Sequence, residues 1–325
     1  MRFLLLTQYY KDGTLLISGP SLVERERGAV DGVRVWGIVL ALSLFLATAI
    51  SSENTLAQSE NTAPLIFELE TSARVAGLGG AFLALSDDES AAYYNPAGLA
   101  FVSTRGVAAL YSQLFGVVDY LAVGGVFASV GFQVIRLDTS DMPENNAFGN
   151  PTDQNADYVS QAGVAAAALA LGKQLSLGGR VKVYQTSSGD WNGFGWAGDA
   201  AILFRWAGFS VGAVMENLVQ QAIKYNQGPD QAWPRDLRVG GAYSLDFRPL
   251  QVILLIDETH LLTQKMHTHI GLEAWVHGIG LRLGYNGLSI TAGASAYFKN
   301  FRLDWAYAIH PQLPTSYVMT VTYRF

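Results

Sequence analysis

From Thr104 to the last residue, apolar and polar positions alternate with a period of two, segment after segment. This is the period of a β-strand whose two faces meet different surroundings. Between Lys265 and His277, Met266, Thr268, Ile270, Leu272, Ala274 and Val276 fall on one face, and His267, His269, Gly271, Glu273, Trp275 and His277 on the other. In 301–310, Phe301, Leu303, Trp305, Tyr307 and Ile309 oppose Arg302, Asp304, Ala306, Ala308 and His310. The last segment repeats the pattern, with Tyr317, Met319, Val321, Tyr323 and Phe325 on the apolar face. Counting such stretches predicts about fourteen strands, most near the length that crosses a bilayer when tilted. No second long helical pattern appears after Thr104.

The connections test this independently. If both chain ends lie in the periplasm, every even-numbered connection is a periplasmic turn. Those connections fall at Ser129, Gly172-Lys173, Trp206–Gly208, Asp246–Arg248, Gly278 and Lys299-Asn300, and all are short. Among the odd ones, Asp138–Asp157, Ser187–Gly193 and Asn217–Pro234 are expected to be long external loops. This asymmetry belongs to an outer-membrane barrel. The aromatic residues Phe301, Tyr307, Tyr317, Tyr323 and Phe325 lie toward strand ends, as interfacial girdles require. Tyr317, Tyr323 and the terminal Phe325 also have the form of a C-terminal signal for barrel-insertion machinery. The fold expected is therefore all-β and transmembrane, an antiparallel outer-membrane β-barrel of about fourteen strands over 104–325. Its lipid-facing surface contacts outer-membrane lipid.

Ahead of the barrel lies Ala73–Ala100, ARVAGLGGAFLALSDDESAAYYNPAGLA. Gly77, Gly79 and Gly80 permit close backbone approach. Ser86 is expected to cap a short helix, with Glu89 as its capping-box partner and Asp87, Asp88 and Glu89 in the first turn. Asn95-Pro96 ends that helix, and Gly98 supplies a turn. The run Gly77-Leu78-Gly79-Gly80-Ala81-Phe82, the acidic pair Asp87-Asp88 and the ending Asn95-Pro96-Ala97-Gly98-Leu99 resemble the N-terminal signature of the PorV/PorQ family, which is related to the FadL-type barrels. Leu78 replaces the family's usual Met. The resemblance implies that residues 58–103 form a plug, with a short helix, inside the barrel. It also implies a role in type IX secretion, binding or shuttling secreted proteins that carry C-terminal secretion domains. The wider FadL-type resemblance implies an alternative, an uptake channel for small hydrophobic molecules with ligand near Phe82, Leu83 and Leu85. A third reading is a barrel of the same family with another envelope role.

Residues 1–57 read as an N-terminal extension and signal peptide, with the apolar run Val33–Ile50, a cleavage site at Thr55-Leu56-Ala57 and Gln58 as the mature start. A single membrane anchor is the alternative, and translation beginning near Val30 or Val33 would account for the unusual first thirty residues. The address is thus the bacterial outer membrane.

A net charge of −6 gives no basic footprint for nucleic acid. The chain has no cysteine, which removes a disulfide framework. Asp87, Asp88 and Glu89 lack the ligand spacing of a calcium loop. His267 and His269 share a face, but without cysteine or identified partners they read as lumen lining rather than a zinc site. Gly77–Gly80 lacks the residues of a nucleotide loop, and no catalytic triad is recognisable. No cofactor, metal or enzymatic activity is expected. Arg180 with Lys182, and Arg302 with Asp304, share inward faces, and Glu273, Arg238, Arg282 and Asp257 also face inward. These lumen charges are expected to pair across strands or with the plug, a selective conduction path being the alternative.

Overall fold

The computed structural model describes residues 9–11, 14–16, 64–114, 117–145, 151–262, 266–309 and 316–325. The signal-peptide and start-site expectations therefore lie outside the described residues. Within residues 1–56, Tyr9–Lys11 and Thr14–Leu16 pair as an antiparallel hairpin.

Residues 57–325 form one unit, built around a closed barrel of fourteen antiparallel strands. They are β1 (Gly106–Leu114), β2 (Val118–Phe127), β3 (Val130–Asn145), β4 (Pro151–Ala170), β5 (Leu175–Ser188), β6 (Trp191–Trp206) and β7 (Phe209–Tyr225). There follow β8 (Asp236–Phe247), β9 (Leu250–Thr259), β10 (His267–Val276), β11 (Ile279–Tyr285), β12 (Ile290–Phe298), β13 (Phe301–Ile309) and β14 (Ser316–Arg324). Each strand pairs with its sequence neighbours, and β14 closes the ring on β1 with Tyr323 opposite Val107. Closure leaves no unpaired sheet edge, which is the condition for a sheet to stand in hydrocarbon.

The alternation seen in the sequence is the alternation of the wall. Leu281 and Leu283 are 60% and 57% exposed, whereas Arg282 between them is 2% exposed. Charged residues thus point inward and apolar ones outward, the reverse of a water-soluble barrel. An apolar outer face of this extent is stable only against lipid. Exposed Phe127, Trp206, Phe247, Phe298, Phe301, Tyr323 and Phe325 cluster beside the short turns, and Tyr111, Tyr285 and Tyr317 lie toward the opposite ends of their strands. Two aromatic girdles result. No described helix is long and apolar enough to cross a membrane; the strands do the crossing.

Short turns occur where expected. Ala207-Gly208 and His277-Gly278 have positive φ at both positions, the geometry that matches strand twist in two-residue hairpins. The expected long loops are corrected. β3 and β4 remain paired up to Asn145 opposite Pro151, β5 and β6 turn over just Gly189-Asp190, and β7 runs on to Tyr225. Backbone pairing continues beyond the apolar belt because it needs no alternating side chains once lipid is left behind. The external end is therefore made largely of extended hairpins.

The segment before the barrel crosses the lumen. It contains a 3-10 turn (Leu65–Phe67), helix α1 (Ala73–Ala76), helix α2 (Ala91–Tyr94) and a second 3-10 turn (Pro96–Phe101). α1 packs against β12, β13 and β14, while the second 3-10 turn packs against β4, β5 and β6 across the ring. Glycines permit both contacts. A Cβ on Gly284 would lie 2.2 Å from the Gly79 nitrogen, and one on Gly178 would lie 2.2 Å from that of Ala97. Gly98 is likewise a close-approach residue rather than a turn residue, since its Cβ would meet the Ser86 carbonyl at 2.2 Å.

The expected helix start is also corrected. The helix begins at Ala91, after Ser90, and Ser86 has a left-handed φ of 24°. Asp88 accepts hydrogen bonds from the Ser90 nitrogen (3.0 Å) and hydroxyl (2.5 Å). Asp87, Asp88 and Glu89 stand outside the helix because buried arginines claim them, and a charge-assisted pair outweighs the dipole of a single turn. The expected end at Asn95-Pro96 is observed: Asn95 is extended and its side chain caps the following 3-10 turn through the Ala97 nitrogen.

Candidate functional site

The lumen holds the chemistry, and its centre is an ion-pair network joining the inner segment to the wall. Arg74 of α1 donates a fork of hydrogen bonds to Glu273 of β10 (2.8 and 2.6 Å). Its other nitrogen reaches Asp87 (2.6 Å) and Asp88 (2.9 Å). Asp88 also meets Arg302 of β13 (3.1 Å), Glu273 accepts from Arg282 (2.6 Å), and Arg302 donates to Asp304 (2.7 Å). Ser295 bridges Arg282 and Asp304. Glu89 takes Arg324 of β14 at 2.6 Å. Burial opposes ionisation of Asp88, yet Arg302 and Arg74 outweigh it and hold its carboxyl well below the usual range. Burial likewise opposes the charge on Arg74, and Asp87 and Glu273 more than restore it. The expected inward charges Glu273, Arg302 and Asp304 are thus brought together.

A second anchor is Asp257 of β9, whose Oδ2 accepts from the nitrogens of Phe82 and Leu83, both at 2.7 Å. His269 joins it, its Nδ1 lying 2.6 Å from the Gly79 carbonyl oxygen. His267 is elsewhere, on an exposed stretch with its ring 5.4 Å from that of His260.

A third cluster sits in the wall at a β-bulge. Gly198 pairs with Val219 and Ala200 with Met215, so residues 216–218 stand opposite Asp199 alone. Asn217 takes a φ of 56° and donates its backbone N–H to Asp199 (2.7 Å). Glu216 continues the inward parity of Gly212 and Val214 and accepts from Arg180 (2.7 Å), and the bulge brings Asn217 inward beside it. Asp199 pairs with Arg180 and with Lys182 (3.0 Å). Arg180 and Lys182, expected to face inward, do so and pair with Asp199 and Glu216, acids not among the inward charges expected from the sequence. Inward parity was the available signal for both, for Asp199 on β6 and for Glu216 two residues after the inward Val214 on β7.

Above this cluster, toward the long-strand end, is an aromatic assembly. The ring of Phe67 lies 5.4 Å from Trp233 and 6.1 Å from Tyr184, with the Lys182 ammonium 5.4 Å from its centre. Tyr93 donates to the Phe67 carbonyl at 2.8 Å, and Tyr94 donates to Glu70. Burial pushes the Glu70 carboxyl up, against the Tyr94 bond. At the rim, His260 is pushed up to about 9 by hydrogen bonds to Asp236 and Glu68. Of Phe82, Leu83 and Leu85, expected beside a ligand, Phe82 and Leu83 are buried in packing, whereas Leu85 is half-buried and lines the cavity at the short-turn end.

At the opposite, short-turn end, a cavity of about 540 Å³ opens among Arg74, Arg205, Arg302, Arg324 and apolar side chains. Arg205 was not foreseen.

The barrel has counterparts among solved structures. It is similar to the toluene transporter TbuX of Ralstonia pickettii (14% identity, 78% of this chain and 98% of that one, TM-score 0.54). It is similar also to the toluene transporter TodX of Pseudomonas putida (12% identity, 80% and 99%, TM-score 0.54) and to the CymD monoaromatic hydrocarbon channel (12%, 78% and 97%, TM-score 0.51). What is shared with these structures is the fold, a closed antiparallel β-barrel. No family model and no curated protein matches the chain. At such low identity the likeness concerns architecture.

Proposed function

We propose that the chain is an outer-membrane uptake channel for small hydrophobic molecules, with the inner segment as its plug. The observation that carries this reading is the construction of the lumen. A segment crosses it from β12–β14 to β4–β6, tied by reversible ion pairs and hydrogen bonds, beneath an aromatic assembly of Phe67, Tyr184 and Trp233. Apolar solutes partition onto aromatic surface, and passage requires the plug to yield. The likeness to toluene transporters and a monoaromatic hydrocarbon channel supports the same reading.

The type IX secretion role implied by the PorV/PorQ resemblance rests on the sequence of the inner segment, chiefly Gly77–Phe82 and Asn95–Leu99. The two readings separate experimentally. The purified barrel is reconstituted in liposomes enclosing a fluorescent reporter of toluene, and uptake is compared with empty liposomes. Faster entry that is lost on Trp233→Ala supports the channel. No acceleration, together with co-purification of a secreted protein bearing a C-terminal secretion domain, would replace it with the secretion role.

A further inference from the structure

The cavity at the short-turn end is incomplete in charge. Three of its four arginines are matched: Arg74 with Asp87, Asp88 and Glu273, Arg302 with Asp88 and Asp304, Arg324 with Glu89. Arg205, at the end of β6, has no ion pair among the described residues. One of its nitrogens donates to the Leu85 carbonyl, its guanidinium lies 4.9 Å over the Phe101 ring, and its buried Nε has no acceptor. A guanidinium does not shed its proton in proteins, so a half-buried one that feels Asp87 only at a distance, with no ion pair of its own, keeps much of its demand for an anion. Its planar fork matches a carboxylate. The rest of the wall is partly apolar, with Leu85, Phe209, Ile253 and Trp275 facing the same space. Asp87 is the one carboxylate lining the cavity, and it is held by Arg74.

We propose that this mouth binds an amphipathic monoanion, a carboxylate on a compact apolar body, with the carboxylate on Arg205 and the body against Leu85, Phe209, Ile253 and Trp275. The cavity of about 540 Å³ has room for a ring and a short chain. The inference is independent of the uptake reading, because binding is measured without transport.

The test uses the full chain in detergent, titrated calorimetrically with 4-phenylbutyrate and with its uncharged amide. Native protein should bind the anion at least about tenfold more tightly than the amide, the worth of a charge-assisted hydrogen bond. Arg205→Gln should abolish that preference, Arg205→Lys should keep part of it, and Asp87→Asn should tighten the anion severalfold by removing the competing charge. Equal affinity for anion and amide in the native protein would overturn the proposal. So would an Arg205→Gln barrel, folded by its electrophoretic mobility, that keeps the preference. If Arg205→Gln does not fold, Asp87→Asn decides, an unchanged or weakened affinity counting against the site. Displacement of the probe by inorganic phosphate at equal concentration would refute the requirement for an apolar body.

Discussion

Replacing Arg74 by Gln removes the cation through which α1 grips the barrel wall. Arg74 is 4% exposed and makes a bidentate pair with Glu273, which is fully buried. Removing one partner of a buried ion pair costs about 3–5 kcal/mol. Here the lower end applies. Glu273 keeps Arg282 and Asp88 keeps Arg302, while the Asp87 side chain, 35% exposed, retains water. About 3 kcal/mol at about 1.4 kcal/mol per decade corresponds to roughly a hundredfold rise in the population with the segment released. The chain has no cysteine, so an Ala84→Cys substitution supplies a single thiol at a position 0% exposed. Its labelling by a polar maleimide reports the open population when reclosing is faster than reaction. The expected result is labelling about a hundredfold faster in Arg74→Gln, with the folded barrel's electrophoretic mobility unchanged. A rise of less than about threefold, under ~1 kcal/mol, would refute the idea that this network latches the segment. Equal loss of the folded band would show that Arg74 supports the barrel as a whole.

Three further outcomes are expected. Gly284→Ala should destabilise the protein by at least about 1–3 kcal/mol in denaturant melts, because its Cβ would meet Gly79 and Leu78 backbone atoms at 2.2 Å, whereas Gly179→Ala, with 3.6 Å of clearance, should be nearly neutral. The His260 imidazole, pushed up to about 9, contributes stability in full below the unfolded value of ~6.5 and loses it as pH rises through about 9; the gap in melting temperature between native protein and His260→Gln should therefore shrink above that pH, and a gap widening with pH would contradict the assignment. Deletion of Phe325, whose ring centre lies 5.5 Å from Phe127 and 6.0 Å from Tyr323, should lower the yield of folded barrel in outer-membrane fractions.

Much of the barrel was legible in the sequence. A lipid-facing strand must show an apolar residue at every second position, so strands such as 301–309, with Arg302 and Asp304 facing in, appear directly in the letters. The short turns were legible for the same reason, since they interrupt that period. The external hairpins were not, because above the bilayer nothing forces alternation. The inner segment was legible as a unit through its glycines, yet its chemistry was misplaced. Asp87, Asp88 and Glu89 look like a helix start when only their neighbours are considered. Besides the nearby Arg74, the partners of Asp88 and Glu89 are Arg302 and Arg324, which lie more than two hundred residues away and reach them only when β13 and β14 close the ring. The same holds for Asp199 with Arg180 and for the unmatched Arg205, whose isolation is a statement about everything packed around it. Periodicity is local and fixes which side of the wall a residue faces; the pairing of buried charges depends on three-dimensional distance, which only the closed barrel sets.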